Sequence, residues 1–324
     1  MNMNRRILLL ALAAANVAAP AWAQDKYPTR PVSIVVPFPA GGVVDTVART
    51  VGQKMAGALG VPVTVENKAG AGGTIGAAFV SKVKPDGYTL LLGGSATQVF
   101  GPALYKKLQY DAKKDFAPVG QITSGPLVLV TGSKVPATDI PQLKQYLKEQ
   151  GVRAFYGSNG NGTFPHLAAE LFKQANQLPS AHIPYSGGPA TLTALIAGDI
   201  AYSINHIPVM QGMVKSGKLR ALATTGPKRS VAFPNLPTLD EAGMKGFEAN
   251  AWWGLFAPAG TPPEIVQALN EALAVALKDP AIRATLEAQG DEVSHSTPKD
   301  FAAFVSAEST KWTKVVRTAN LQLD

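Results

Sequence analysis

The 324-residue chain contains no cysteine, so disulfides, thiolate metal sites and thiol nucleophiles are excluded. Histidine is scarce, with four in all. None of them falls in HExxH-type spacing or beside a carboxylate cluster, and no metal is expected. Charged residues make up only 16% of the chain, and although Lys and Arg exceed Asp and Glu by 30 to 22, the lysines are scattered and no run of five appears. Nucleic acid is therefore not an expected partner, and the Trp252-Trp253 pair, with no arginine cluster beside it, reads as core. No G-x-S-x-G elbow is present. The one G-x-x-x-x-G-K match, residues 212–218, has Leu219 in place of the Mg²⁺-binding hydroxyl and precedes a strand. With no nucleophile–base pair, metal cluster or cofactor motif, no enzyme and no cofactor are expected.

Long apolar runs are also missing. The main one, residues 7–15, is too short to cross a membrane. Preceded by Arg5 and Arg6 and followed by Ala21-Trp22-Ala23, it reads as a secretory signal peptide over residues 1–23, cut after Ala23. Export to the periplasm is the expectation, and loss of the leader lowers the formal charge from +8 to +6. About 300 residues then remain, enough for two domains.

What is present is an alternation of strand and helix. Strand 32–36, helix 43–58, strand 61–66, helix 74–83 and strand 88–92 form a βαβαβ order, which implies a parallel sheet covered by helices. From 101 to 131 the signals become irregular, with Pro102, Pro118 and Pro126 interrupting β-rich pieces, and the crossing into a second domain is placed there. Alternation resumes from helix 139–149 to strand 219–224. A proline-rich return leads to a buried strand at 252–258, a long amphipathic helix from Pro262, and a last helix capped by Thr297.

Two glycine-rich loops stand where strands hand over to helices: Phe38, Pro39, Ala40, Gly41 and Gly42, then Ala71, Gly72, Gly73 and Thr74. Such a turn gathers free N–H groups and the positive end of a helix dipole, a natural anion site. One loop alone is only a tight turn. Two at the C-terminal ends of parallel strands point to ligand binding. Asp45 in the first helical turn either meets the ligand or holds a neighbouring loop. Ser95 and Thr97 either reach the cleft or cap the next helix. Ser158, Thr163 and Tyr185 offer donors from the second half. His166 reads as core or contact, and His206 as a cleft-lining residue.

The blocks Tyr27-Pro28-Thr29-Arg30-Pro31, Val35-Val36-Pro37-Phe38-Pro39-Ala40-Gly41-Gly42, Glu66-Asn67-Lys68-Ala69-Gly70-Ala71-Gly72-Gly73-Thr74, Pro85-Asp86-Gly87-Tyr88, His166-Leu167-Ala168-Ala169-Glu170 and Ala257-Pro258-Ala259-Gly260-Thr261-Pro262 follow in order along nearly the whole mature chain. Together they resemble the Bug receptors, the extracytoplasmic solute-binding proteins of tripartite tricarboxylate transporters. Where that pattern often carries serine this chain has Val43, and the segment 193–198 lacks the acid often found there.

The resemblance implies an α/β, type II periplasmic-binding-protein fold: two α/β domains with a ligand cleft between them. Domain 1 is expected over 24–120 plus 226–296, and domain 2 over 121–225 plus 297–324. It further implies capture of a small carboxylated metabolite (a mono-, di- or tricarboxylate or an amino-acid-like acid), with one carboxylate against the first domain's glycine loops. The partner is then a tripartite-transporter permease and the receptor a monomer. A periplasmic sensor serving a membrane kinase is the alternative on the same fold.

Overall fold

A computed structural model describes residues 27–288 and 290–323. The expected leader over 1–23 lies outside the described residues.

The first half of the molecule is built as the alternation predicts. Strand β1 (Val32–Val36) leads through the first glycine loop into helix α1 (Val43–Leu59), whose stripe Val44, Val47, Val51 and Met55 is buried. Gly60 ends that helix in the left-handed region, φ 72°, its N–H donating to Ala56 O, as a C-terminal glycine does. Strand β2 (Val63–Asn67), the short helix α2 (Thr74–Val80) and strand β3 (Thr89–Gly94) follow. β1 lies parallel to both β2 and β3, so the ends of all three strands carry their loops at one edge.

The stretch from 101 to 131 departs from expectation. After a wide turn over Ala96–Phe100 and a single helical turn α3 (Gly101–Leu104) comes one strand, β4 (Phe116–Gly132), 17 residues long. Prolines read as interruptions because they lack a ladder N–H. Here the strand absorbs them with register shifts between Pro118 and Gly120 and between Gln121 and Thr123, and it bends without ending.

β4 is shared. Residues from Phe116 to Pro126 pair antiparallel with β9 (Asn250–Pro258), which itself lies beside β3. From Leu127 onward β4 pairs instead with β7 (Tyr202–His206) and β8 (Leu219–Thr224). The expected domain boundary at 120/121 thus falls inside this strand. The second half adds α4 (Ile140–Gln150), β5 (Phe155–Ser158), α5 (Phe164–Ala175), β6 (Ala181–Pro184), α6 (Gly188–Ala197) and α7 (Ile207–Lys215). β5 is parallel to both β6 and β7. The path across the molecule is β2-β1-β3-β9-β4-β7-β5-β6.

Helix α8 (Pro263–Lys278) buries Val266, Leu269, Leu273 and Leu277 against the first half, each contributing roughly 1.5–3 kcal/mol. Helix α9 (Pro280–Glu287), capped by Asp279, was not anticipated from periodicity. The two-residue strand β10 (Glu292–Val293) pairs with β4. The last helix, α10 (Pro298–Thr318), starts at the expected Thr297 cap, whose side chain accepts from Asp300 N. It packs on the 96–100 turn, β4 and α5. One apolar cluster therefore runs from Leu91 and Phe256 through Trp252 and Trp312 to Leu129, Tyr156 and Phe172, joining both halves.

Candidate functional site

A cavity of about 350 Å³ opens where the loops leaving β1, β2, β3, β5 and β7 converge. This is the C-terminal edge of the parallel strands, where open α/β sheets bind ligands. Of the residues predicted from sequence, Phe38, Gly72, Ser95, Thr163 and His206 line it.

Around Phe38 the cavity is backbone-rich. Val43 and Val44, the first residues of α1, line the wall. Their helix has no side-chain cap, and its first internal bond is Thr46 N to Gly42 O, 3.0 Å. The N–H groups of Val43, Val44 and Asp45 consequently have no intrahelical partner. The 71–74 turn beside them is held by Gly73 N donating to Gly70 O at 2.9 Å, with Ala71, Gly72 and Gly73 all at positive φ. Gly73 is required there, since a Cβ would lie 3.0 Å from Thr97 Cγ2 and 3.2 Å from Phe38 Cζ.

Across the cavity the wall is apolar. Phe100 and Phe164 meet at 5.4 Å between ring centroids, and both rings contact the buried Trp312. Leu104 and Leu323 close that end, tied by Leu323 N donating to Leu104 O at 2.9 Å. Trp252 and Trp253 of β9 complete the lining, Trp253 edge-on to Phe38 at 5.9 Å. Among the described residues, no Lys, Arg, Asp or Glu lines the cavity. Ser95 Oγ and Trp252 Nε1 are buried without a hydrogen-bond partner. His206, the residue before α7, is kept neutral, its imidazole pushed down to about 4 by burial.

Other predicted residues serve the loops instead. Asp45 is 4% exposed and ties three segments. It accepts from Gly41 N at 2.9 Å, from Asn67 Nδ2 at 2.9 Å and from Arg49 Nε at 2.9 Å. The Arg49 bonds, foremost, hold its carboxyl down at about 2. Of the two readings the sequence left open, this geometry matches the loop holder. Thr97 clasps Gly94, accepting from its N–H at 3.2 Å. Thr74 Oγ1 donates to Ala71 O at 2.9 Å. Pro39, Ala40, Gly41, Gly42 and Ala71 are exposed and lie outside the cavity lining.

In the second half, Ser158 Oγ is 2.7 Å from His182 Nε2 and accepts from Gly160 N at 3.2 Å. His166 Nδ1 accepts from Gly162 N at 3.1 Å, and its ring stacks on His182 with centroids 3.8 Å apart. Burial, foremost, lowers both imidazoles, His166 to about 4. Beneath them Tyr156 donates to the buried Glu170, which Lys173 pairs at 2.8 Å. Tyr185, half-buried, donates its backbone N–H to Ser158 O at 3.0 Å. Ser158, His166 and Tyr185 therefore hold the loop from 159 to 163, of which Asn159, Asn161, Gly162 and Thr163 face the cavity. Asn159 is itself occupied, exchanging two hydrogen bonds with Asn205.

Sequence reasoning passed over Phe100, Leu104, Phe164 and Leu323, because an apolar residue at helical spacing reads as core. The signal that would have found Phe164 is its place directly after Thr163, at the start of α5.

The described residues include no helix long and apolar enough to cross a membrane. The family model described as "Tripartite tricarboxylate transporter family receptor" matches residues 47–321. The chain is similar to Protein BugT of Bordetella pertussis, at 36% identity over 326 residues that cover all of both chains. Two solved structures from Rhodopseudomonas palustris also match. One, described with adipate, is 34% identical with TM-score 0.80 over 91% of this chain and 99% of its own. The other, MatC with bound malate, is 35% identical with TM-score 0.77 over 90% and 100%. An α/β periplasmic-binding fold, a cavity at its strand ends and a family match over residues 47–321 agree: this protein belongs to the Bug family of solute-binding receptors of tripartite tricarboxylate transporters.

Proposed function

We propose that the protein captures a small carboxylated solute in this cavity and delivers it to the membrane permease of a tripartite transporter. One observation carries the reading: the uncapped start of α1, with the free N–H groups of Val43 and Val44, opens onto a cavity lined by no charged side chain. The one carboxylate of that first turn, Asp45, is paired with Arg49 and lies outside the cavity lining, so the partial positive charge facing the cavity favours an anion. The adipate and malate of the two related structures are carboxylates, in keeping with it.

In this reading the two lobes, 24–120 plus 226–296 and 121–225 plus 297–324, close on the ligand by flexing where β4 and the segment around residues 225–226 cross between them. Binding then favours the closed form by its differential affinity. The working form is a monomer in the periplasm that begins at Gln24. Calorimetry against mono-, di- and tricarboxylates and amino acids tests the core of the reading. Binding of one acid per chain is expected, and a flat response across the panel defeats it. Pull-down of a kinase without a permease would favour the sensor alternative.

A further inference from the structure

The two ends of the cavity differ in what they offer a ligand. The helix starts bordering it are not equivalent donors. α1 begins Val43-Val44-Asp45, with three N–H groups free. α5 and α7 begin Phe164-Pro165 and Ile207-Pro208, and each proline removes one of the donors its helix start would otherwise present. The α1 end adds Ser95, 4% exposed, whose hydroxyl has no protein partner. The far end presents the rings of Phe100 and Phe164 with Leu104 and Leu323. Two amides lie on that side: Asn159 is already paired with Asn205, and Asn161 brings dipoles but no charge.

We infer that the ligand is a monocarboxylate with an apolar, ring-sized body, its carboxylate at the start of α1 and its body against Phe100 and Phe164. This rests on the receptor reading above and narrows it. A second carboxylate at the far end would lose its hydration without meeting a cation, and a buried unpaired charge is among the most unfavourable arrangements in a protein. A ring gains edge and face contacts with the two phenylalanines. The cavity is large enough for a single ring and its carboxylate with ordered water beside them.

The test uses matched acids that differ only in the second carboxylate, namely benzoate against terephthalate and hexanoate against adipate, with malate and citrate added. Affinities come from calorimetry on the unliganded mature chain. The expected result is tighter binding of each monoacid by about tenfold or more. Equal or tighter binding of the diacids, or of malate or citrate, overturns the inference while leaving the receptor reading intact. No binding by any of them counts against both. The variant Leu323→Arg, at a half-buried position on the far wall, supplies the missing cation and is expected to shrink or reverse the preference. An unchanged preference in a folded variant also overturns the inference.

Discussion

The backbone N–H of Gly162 donates to Nδ1 of His166 across 3.1 Å, so a cavity-lining loop rests on the lone pair of a neutral histidine. His166→Ala removes that acceptor and the stacked contact with His182. Loss of one such bond, about 1 kcal/mol, lowers ligand affinity roughly fivefold with the fold retained. Titration calorimetry on the variant checks it, and circular dichroism confirms folding.

The same lone pair makes the protein acid-sensitive. His166, His182 and His206 all take up protons less readily in the folded chain than the ordinary histidine value of about 6.5. The unfolded state therefore binds more protons between about 6.5 and about 4, and stability falls as pH drops through that window. Asp291 acts in the opposite direction, raised by burial to about 6. It opposes the histidines between its ordinary value of about 3.9 and that point. Three groups outweigh one, so the melting temperature should fall from pH 7 to pH 4. A Tm profile that rises toward pH 4 contradicts the assignment of neutral, buried imidazoles.

Ser95→Ala separates binding from folding. Its hydroxyl is buried with no protein partner, so its removal should leave stability unchanged or slightly raised. Ligand affinity should drop all the same. A variant that loses stability but not affinity would show that the hydroxyl serves the fold.

Asp45→Ala is expected to do the reverse. It removes the acceptor of the Gly41 N–H and one of the two acceptors of the Asn67 amide, which keeps Phe38 O, for about 1–3 kcal/mol of stability, and loosens the loop ahead of α1. Arg49→Ala, at a side chain 52% exposed, should have a much smaller effect. The stabilisation by Asp45 is present above its ordinary value of about 3.9 and is lost as pH falls through its folded value of about 2. Denaturant melts at pH 7 rank the two variants.

Gly73→Ala combines a φ of 95° with the crowding of Thr97 and Phe38. A stability loss of roughly 1–2 kcal/mol is expected. Ligand binding should weaken as well, since the turn it distorts borders the cavity. Gly57→Ala, in the interior of α1 with nothing within 4 Å of the new Cβ, should be neutral or stabilising and serves as the control.

Much of this was legible in the residues. The alternation of strand and helix and the two glycine loops are local signals, and they placed β1, α1 and β2 where the structure has them, with both loops at the edge where the cavity opens. β4 was not legible, because Pro118 and Pro126 look like stops, whereas β4 runs through both against β9, with its own bulges after Pro118 and Gln121. Asp45 was ambiguous for a related reason. Its helical position allows either role, and only the arrival of Asn67 from β2 distinguishes them. The apolar end was hidden most completely. Phe100 and Phe164 carry the pattern of core residues, and partly they are core, since one edge of each packs on Trp312 while another faces the cavity.

Because β4 belongs to both sheets, neither lobe has a complete sheet without the other. Unfolding of one removes the strand on which its neighbour is assembled. Denaturation should therefore be a single cooperative transition, in which Trp252 and Trp253 on β9 and Trp312 on α10 lose their environments together. The strand that the two halves share also makes the molecule one thermodynamic unit.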